Sequence, residues 1–286
     1  MKTTSHTNQE QAMLWNGLAG RAWVEEEKVV DRMFEPFERL LVEAAFAASR
    51  TRVLDVGCGT GGTTLAIARR LGAASRCVGL DLSEPMVAAA RARGEREGVP
   101  ASFICADAQS YDFEPKAFDL ITSRFGVMFF DDPVQAFANL RRAGTDDAEC
   151  RFIAWRSAAE NPFMTTAERA AAPFLPNLPA RQADAPGQFA FADQRRVRRV
   201  LEESGWTGVD IRPIEVSCSL LESELIGYLT RLGPVGRVLH QVDEPTRARV
   251  IEAARAAFEG FVQGAEVRFD AACWMVGARA SSPQRK

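Results

Sequence analysis

Residues 53–62 read Val-Leu-Asp-Val-Gly-Cys-Gly-Thr-Gly-Gly, an apolar run that passes directly into a glycine-rich turn. The run predicts a buried strand over Arg52–Val56, and the residues after the turn predict a helix over Thr64–Leu71 that ends at Gly72. Glycine permits a tight turn and a close approach of ligand to backbone, while the first N–H groups of the helix remain able to donate. The stretch therefore predicts a strand, turn and helix that together bind a nucleotide-type ligand.

Short apolar runs alternate with helical stretches along the rest of the chain. Six further runs are predicted to be strands: Cys77–Leu82, Ala101–Cys105, Phe118–Ser123, Arg151–Trp155, Val209–Leu220 and Val267–Ala278. Such alternation is typical of a parallel sheet whose strands are joined by crossover helices. The predicted fold class is therefore α/β, with a seven-stranded, mostly parallel sheet and flanking helices.

Capping residues mark the predicted ends of several helices. Ser83 is placed to cap a helix over Glu84–Glu97, which Gly98 would end. Asp132, followed by proline, and Asp193 are placed to open two later helices. These signals predict helices between several of the strands.

Helical segments also occur outside the alternating pattern. Residues 1–48 are predicted to form an N-terminal helical lid, ahead of a domain over 49–286 that contains cap insertions at about 156–192 and 221–265. Two amphipathic stretches occupy the second insertion, Glu222–His240 and Pro245–Gln263. The first insertion supplies apolar side chains that either line a pocket or pack in the core: Phe163, Met164, Phe174, Leu175, Phe189 and Phe191.

The composition is that of a globular protein, with 47% hydrophobic and 26% charged residues. The formal net charge of −3 argues against a strongly basic nucleic-acid-binding protein. Six cysteines without a C-x-x-C pair predict reduced thiols rather than a disulfide framework or a zinc site. No apolar run approaches the roughly 20 residues of a membrane-spanning helix. A cytoplasmic protein with no membrane partner is therefore expected, and the sequence indicates no oligomeric state.

The glycine turn also matches a rival pattern. Gly57-x-Gly59-x-x-Gly62 fits the dinucleotide fingerprint, and Asp81 stands 19 residues after Gly62, where a ribose-binding acid is expected. A nicotinamide-dependent oxidoreductase is therefore an alternative. Asp55 argues against it, because a carboxylate beside the turn would repel a pyrophosphate and would attract the ammonium group of a sulfonium cofactor.

Three spaced acidic positions carry a resemblance to a known family. They stand in Asp55-x-Gly57-x-Gly59-x-Gly61, at Asp81 after the second predicted strand, and at Asp107 in Cys105-Ala106-Asp107-Ala108-Gln109 after the third. This pattern resembles the class I S-adenosylmethionine-dependent methyltransferases, and within them the type 11, ubiquinone/menaquinone methyltransferase-like branch. The resemblance extends from Trp15 to about Trp155, and it implies a Rossmann-like fold and S-adenosylmethionine as cofactor.

The resemblance assigns cofactor-binding roles around the first two predicted strands. Gly57 and Gly59 would let the backbone approach the methionine moiety and the adenosine. Asp81 would accept hydrogen bonds from both ribose hydroxyls, which suits an ionised carboxylate. Leu82 and Met86 would pack on the adenine face.

Further roles follow the third and fourth predicted strands. Asp107 would accept from the adenine amino group while the N–H of Ala108 donates to a ring nitrogen, with Gln109 assisting. Ser123 and Arg124 lie where the fourth strand ends, at the edge where open α/β sheets bind ligands. Arg124 would meet the methionine carboxylate or the methyl acceptor.

Two other features bear on the resemblance. Trp23, in the segment that resembles a lid, would place its indole over the sulfonium, a cation–π contact of about 0.5–2 kcal/mol. Members of this branch carry a Pro-Gly-Gly turn before the fifth strand, whereas Ala143–Glu149 here predicts a longer, acidic turn. This departure lies away from the cofactor motifs.

The sequence assigns no catalytic residue. The two histidines, His6 and His240, lie near the terminus and in the predicted cap, so a histidine base is not supported, and Tyr111 and Tyr228 have no better claim. No residues are spaced as metal ligands. Methyl transfer is an in-line displacement in which positioning supplies much of the rate, so a dedicated base is optional.

The expected function is methyl transfer to a small, partly apolar molecule, with a nucleic-acid partner disfavoured by the charge balance. Besides the oxidoreductase, the sequence leaves open a catalytically silent binding module with a methyltransferase-like fold.

Overall fold

The computed structural model describes residues 6–179, 181 and 185–280, and within them the stretch 53–62 forms a strand, a turn and the start of a helix. The helices are α1 (His6–Asn16), α2 (Leu18–Glu25), α3 (Glu27–Ala47), α4 (Gly62–Leu71), α5 (Glu84–Glu97), α6 (Pro133–Ala143), α7 (Pro162–Ala171), α8 (Gln194–Glu203), α9 (Leu225–Arg231), α10 (Gly233–Leu239) and α11 (Glu244–Ala257). The strands are β1 (Arg52–Val56), β2 (Arg76–Asp81), β3 (Ala101–Cys105), β4 (Phe118–Arg124), β5 (Gly144–Trp155), β6 (Trp206–Leu221), β7 (Val262–Gln263) and β8 (Glu266–Ala280).

The strands form one sheet in the order β3-β2-β1-β4-β5-β8-β6, and the two-residue β7 pairs with β8. Strands β1 to β5 are parallel, β8 runs antiparallel to β5, and β6 runs antiparallel to β8. The predicted Rossmann-like α/β fold is confirmed, with seven strands along the main path of the sheet. The order reverses direction at β1, so the carboxyl ends of β1 and β4 meet at the edge where such sheets bind ligands.

Apolar packing holds the helices on the sheet. The central strands are buried: all of β1 after its first residue and all of β4 before its last. Helix α3 packs on α4 and also reaches β4, β5 and β6. Its buried side chains include Phe34 and Phe37, which meet Phe125 and Trp155 in an aromatic cluster at the carboxyl ends of β4 and β5. This cluster forms a rigid support beside the candidate site.

Two sequence predictions about this part of the chain are wrong. The predicted acidic turn over Ala143–Glu149 is absent, because β5 begins at Gly144, directly after α6, and pairs with β4 through a register shift. Ser83 occupies the position before α5 but makes no side-chain cap; its hydroxyl donates to the Trp15 carbonyl at 2.6 Å. By contrast, Asp132 and Asp193 do cap α6 and α8 through their side chains.

The amphipathic stretches of the second insertion fold as three helices rather than two. The first breaks at Leu232 into α9 and α10, and the second ends at Ala257 in α11. In the part of the chain that is described, no helix combines the length and the apolar character needed to cross a membrane.

Candidate functional site

The turn after β1 has a backbone that favours glycine. Gly57, Gly59 and Gly61 have φ of 69°, 55° and 85°, in the left-handed region. A Cβ on Gly57 would lie 2.5 Å from the Cα of Gly126, in the turn after β4, so the two turns touch. This contact explains why residue 57 must lack a side chain.

Ser123 fastens the same two turns. Its hydroxyl donates to the Val56 carbonyl at 2.7 Å and accepts from the Gly126 amide at 3.0 Å. The hydroxyl proton and one lone pair of Ser123 are therefore used within the protein. We conclude that Ser123 positions the carboxyl ends of β1 and β4.

Asp81, at the end of β2, also holds the glycine turn. One carboxylate oxygen accepts from the Gly59 amide at 2.8 Å and the other from the Ser83 amide at 2.9 Å. Burial raises the pKa of this carboxyl, while the backbone hydrogen bonds lower it. Each carboxylate oxygen has a second lone pair, so Asp81 retains capacity to accept from a pair of hydroxyl groups.

Asp55 is buried in β1 and incompletely satisfied. Its Oδ2 accepts from the Thr64 hydroxyl at 2.6 Å, while Oδ1 has no hydrogen-bond partner. Burial raises the pKa of Asp55 to about 7, against the smaller lowering effects of Thr64 and Arg124. A buried acceptor without a donor is uncommon and suits a cationic donor from a ligand.

Asp55 is one of several such acceptors. Among the described residues, four buried side-chain oxygens lack a hydrogen-bond partner, and they belong to Asp31, Asp55, Thr63 and Thr122. Thr122 is the register partner of Asp55 on β4, and Asp31 approaches the position of a Cβ on Gly62 to 2.7 Å. All four thus lie at or beside the start of α4. This concentration of unpartnered oxygens fits the ammonium end of an amino-acid-bearing cofactor.

Arg124 is the last residue of β4, and its side chain reaches α3. Its Nη1 donates to the Phe34 carbonyl at 3.4 Å, and Nη2 lies 4.0 Å from Asp31 Oδ1. The same Asp31 is paired with Arg93 of α5. Glu38 faces this group as well, and burial raises the pKa of its carboxyl against the opposing effect of Arg124.

Asp31 and Glu38 are absent from the sites predicted from the sequence. They stand seven residues apart on α3, so they lie on one face of the helix. That spacing was visible in the sequence, but which element this face meets is decided only by the fold.

Leu82 and Met86 lie where the N-terminal segment, defined as α1 to α3, docks on the sheet edge. Met86 is buried, and its sulfur is 3.8 Å from the position of a Cβ on Gly59. The Asn16 side chain donates to the Leu82 carbonyl at 3.1 Å and accepts from the Glu84 amide at 2.8 Å. The N-terminal segment is therefore anchored directly on the loop that follows Asp81.

Asp107, Ala108 and Gln109 form a turn after β3. Asp107 Oδ1 accepts from the Gln109 amide at 3.0 Å, and Ala108 is buried. The Gln109 side chain accepts from the Asp132 amide at 2.6 Å, so it links this turn to the start of α6. The geometry gives Gln109 a positioning role for this turn.

Trp23 lies in an aromatic group with Trp15. The two rings are 6.0 Å apart, and Trp15 also meets Phe129 edge-on at 5.2 Å. Phe129 belongs to the short 3-10 turn Val127–Phe129, which lies shortly after the end of β4. Trp23 is thus linked through Trp15 to the turn after β4.

The apolar side chains of the first insertion divide into buried ones and partly buried ones, and Phe174 is among the partly buried. Phe163, Leu175 and Phe191 are buried and pack in the core, with Phe163 stacked on Phe269 at 3.7 Å. Met164 and Phe189 are partly buried. His240, at the end of α10, is exposed. The sequence allowed Phe163, Leu175 and Phe191 either to line a pocket or to pack in the core, and the structure shows that they pack in the core.

Comparison with known proteins points to one family. Residues 53–146 match the family described as a methyltransferase domain. The chain is 32% identical over 106 residues to aklanonic acid methyltransferase DauC of Streptomyces sp., a match that covers 37% of this chain and 48% of DauC. It is 36% identical over 106 residues to the demethylmenaquinone methyltransferase of Thermus thermophilus, with the same coverage of 37% and 48%. The matched segment thus spans about half the length of these relatives.

The fold is shared with solved structures. The YcgJ protein from Bacillus subtilis superposes with a TM-score of 0.56 at 18% identity, covering 86% of this chain and 98% of that chain. The glycine turn and the acids Asp55, Asp81 and Asp107 all lie within the matched residues 53–146. Residues 53–146 therefore carry a methyltransferase domain, whose sequence is similar to that of demethylmenaquinone methyltransferase, on a fold shared with YcgJ.

Proposed function

We propose that this protein transfers a methyl group from S-adenosylmethionine to a small, partly apolar acceptor by in-line displacement. The observation that carries the proposal is the set of buried, unpartnered oxygens at the start of α4, beside a glycine turn held by Asp81. The two carboxylates in the set, Asp31 and Asp55, would repel a pyrophosphate, whereas an ammonium group would supply the missing donors. This electrostatic preference disfavours the oxidoreductase alternative.

The residues fit the parts of the cofactor one by one. Each carboxylate oxygen of Asp81 has one lone pair that no backbone amide uses. With these lone pairs Asp81 would accept hydrogen bonds from the ribose hydroxyls. Asp107 and the Ala108 amide would recognise the adenine edge, and Met86 would pack beside the ring. Asp55 would meet the ammonium group, and Arg124 would meet the carboxylate. When bound, the cofactor supplies an electrophilic methyl group on a sulfonium.

The chain's own contribution to the reaction is positioning. The N-terminal segment is anchored on the loop after Asp81 through Asn16 and Ser83, so it is placed to cover a bound cofactor and exclude water. The Trp23 indole would stabilise the sulfonium before transfer. No side chain is assigned as a general base, because holding donor and acceptor in line is sufficient for an acceptor that is already nucleophilic.

The proposed acceptor site lies between the N-terminal segment and the second insertion, defined as residues 221–265. These parts contact each other through ion pairs between Arg231 and Glu26 at 3.0 Å and between Arg32 and Glu224 at 2.6 Å. Partly buried apolar side chains lie nearby, among them Phe129, Met164 and Tyr228. A small molecule with an apolar body is the class of acceptor that such surroundings favour. By their names, two relatives act on aklanonic acid and demethylmenaquinone.

Isothermal titration with S-adenosylmethionine, S-adenosylhomocysteine and NAD tests the proposal. We expect both sulfur ligands to bind the wild-type protein, and NAD to show no saturable binding. Binding of NAD alone would overturn the proposal in favour of the oxidoreductase. A radiolabelled methyl-transfer screen over carboxylic acids, phenols, quinols and amines then separates an active enzyme from a silent binding module.

A further inference from the structure

Phe125, directly after β4, has a backbone conformation that bulky residues avoid. Its φ is 65°, in the left-handed region. Among the described residues, two others besides glycines have a positive φ, Ser49 and Lys116, and both are exposed. Phe125, by contrast, is buried. A left-handed backbone at a buried aromatic residue is strained, and it persists only where the surrounding structure holds it.

Aromatic contacts and one hydrogen bond hold Phe125 in this conformation. Its ring stacks on Trp155, with the centroids 4.5 Å apart and 11° between the planes. Phe34 and Phe37 meet the ring edge-on at 5.3 Å and 5.0 Å. The Phe125 amide donates to the Ile153 carbonyl of β5 at 3.1 Å, so the backbone is tethered as well. These contacts offset the strain of the left-handed φ.

The left-handed φ turns the side chain of Phe125 to the same side as that of Arg124. In an extended strand, consecutive side chains point to opposite faces. A φ of 65° differs from that of a parallel strand by about 180°, which moves the side chain to the other face. Both side chains consequently meet Phe34. Arg124 Nη1 donates to the Phe34 carbonyl at 3.4 Å, and Arg124 Cζ lies 5.9 Å from the centroid of the Phe34 ring, which the Phe125 ring also contacts.

The residue after Phe125 lies against the glycine turn. The Cα of Gly126 is 2.5 Å from the position of a Cβ on Gly57, and the Gly126 amide donates to the Ser123 hydroxyl at 3.0 Å. Phe125 thus stands between Arg124, whose side chain reaches α3, and Gly126, which packs on the turn after β1. Anchoring residue 125 therefore restrains both of its neighbours.

We propose that Phe125 is a positioning residue for Arg124: its anchored ring and left-handed backbone hold the guanidinium where it would meet the carboxylate of the cofactor. This rests on the proposed function, in which Arg124 binds that carboxylate, and deepens it by naming the residue that aims the arginine. With a weaker anchor at position 125, the Arg124 side chain would be free to shift away from its place beside Phe34.

Calorimetry with two ligands tests the link to Arg124. S-Adenosylhomocysteine carries the carboxylate, whereas 5′-methylthioadenosine has the same adenosine and thioether without the amino-acid end. Phe125→Leu removes the stack on Trp155, and Phe137→Leu, at a fully buried phenylalanine of α6, is the matched control. Phe125→Leu is measured alone and together with Arg124→Gln. Circular dichroism and the Tm establish that each variant is folded.

We expect Phe125→Leu to weaken the binding of S-adenosylhomocysteine by about fivefold and that of 5′-methylthioadenosine by less than about twofold. In a protein that already carries Arg124→Gln, Phe125→Leu should cause no further loss, because both changes remove the same interaction. Phe137→Leu should change the affinity for neither ligand. Equal losses for the two ligands, an undiminished effect beside Arg124→Gln, or an unchanged affinity for S-adenosylhomocysteine would each overturn the proposal.

A second pair of variants, Phe125→Ala and Phe125→Gly, tests the backbone and needs no ligand. Both lack the ring, while the Ile153 tether and the hydrogen bond to Ser123 keep the turn left-handed in both. Alanine is the more stable residue in an ordinary strand, whereas glycine is favoured at a positive φ. We therefore expect the higher Tm for Phe125→Gly, and a higher Tm for Phe125→Ala would overturn the proposal.

The two sets of measurements separate this proposal from the proposed function. Failure of the wild-type protein to bind S-adenosylhomocysteine would overturn the proposed function and, with it, the link to Arg124. The comparison of Tm between Phe125→Gly and Phe125→Ala would still report on the strained backbone alone.

Discussion

Asp81, at the end of β2, accepts a 2.8 Å hydrogen bond from the backbone amide of Gly59, in the turn after β1. Asp81, to which we assign ribose binding, therefore also holds in place the glycine turn that the ligand would contact. Its substitution should affect both binding and stability. Separating the two effects requires a comparable carboxylate elsewhere in the same sheet.

Asp119 provides that comparison. It lies near the amino end of β4, away from the candidate site. Its carboxylate accepts from the Thr51 amide at 3.2 Å and from the Arg52 amide at 2.9 Å. Both Asp81→Ala and Asp119→Ala should lower the free energy of unfolding by about 1–3 kcal/mol, since each leaves backbone donors unpaired. Only Asp81→Ala should also weaken the binding of S-adenosylhomocysteine, by at least about tenfold. Urea unfolding and calorimetry measure the two effects, and equal affinities in the two variants would contradict the assigned role.

The pH dependence of stability should reveal the raised pKa of Asp55. Burial raises its pKa from 3.8 to about 7, so the folded protein holds a proton that the unfolded chain releases. The stability contributed by this proton is fully present below pH 3.8 and is lost as the pH rises to about 7, with a slope of at most ~1.4 kcal/mol per pH unit. Asp55→Asn should flatten the profile of the ligand-free protein over this range, whereas Asp112→Asn, at an exposed carboxylate, should not. Parallel profiles for wild type and Asp55→Asn would refute the assignment.

Cofactor affinity should show the complementary dependence. A ligand ammonium beside Asp55 favours the ionised carboxylate, so binding releases a proton when the pH is below about 7. The affinity for S-adenosylhomocysteine should therefore rise with pH up to about 7 and then level off. Titration in buffers of different ionisation enthalpy counts the released protons. Asp55→Asn should abolish the release.

Trp23 should distinguish the charged cofactor from its neutral product. A cation–π contact stabilises the sulfonium of S-adenosylmethionine and gives nothing to the thioether of S-adenosylhomocysteine. Trp23→Leu should weaken the binding of S-adenosylmethionine by about 2–30-fold relative to that of S-adenosylhomocysteine. Trp23→Phe should weaken it by less. Competition binding of the two ligands measures this ratio. A ratio equal to that of wild type in both variants would leave Trp23 with a packing role only.

The ion pair between Arg231 and Glu26 should control how long the cofactor is retained. Glu26 is buried, and Arg231 Nη1 lies 3.0 Å from its Oε1, so the pair joins the second insertion to the N-terminal segment. Arg231→Ala should speed the release of S-adenosylhomocysteine severalfold and increase amide exchange in residues 9–25. Arg32→Ala removes the pair with Glu224, whose carboxylate is more exposed than that of Glu26, and should have a smaller effect. Exchange in 9–25 that is the same as in wild type would exclude this coupling.

The sequence by itself determined the sheet and the glycine turn. Arg52–Val56 and Ala101–Cys105 were predicted with the bounds that the structure has, because local periodicity and capping residues specify such elements. The acids at 55, 81 and 107 were also identifiable, since Asp55 and Asp81 lie within the last two residues of predicted strands and Asp107 closely follows one. Local signals failed where the tertiary structure competes with them: Ser83 bonds to Trp15 instead of capping α5, and Gly144 begins a strand because β4 lies beside it.

Only the tertiary structure decided which side chains meet. Asp31 and Glu38 reach the start of α4 because α3 packs across it, and Arg231 pairs with Glu26 where the second insertion meets the N-terminal segment. These contacts join residues that are far apart in the chain, so no local pattern encodes them. Hydrophobic periodicity states which face of a helix is buried, whereas the partner of that face depends on the packing of the whole molecule.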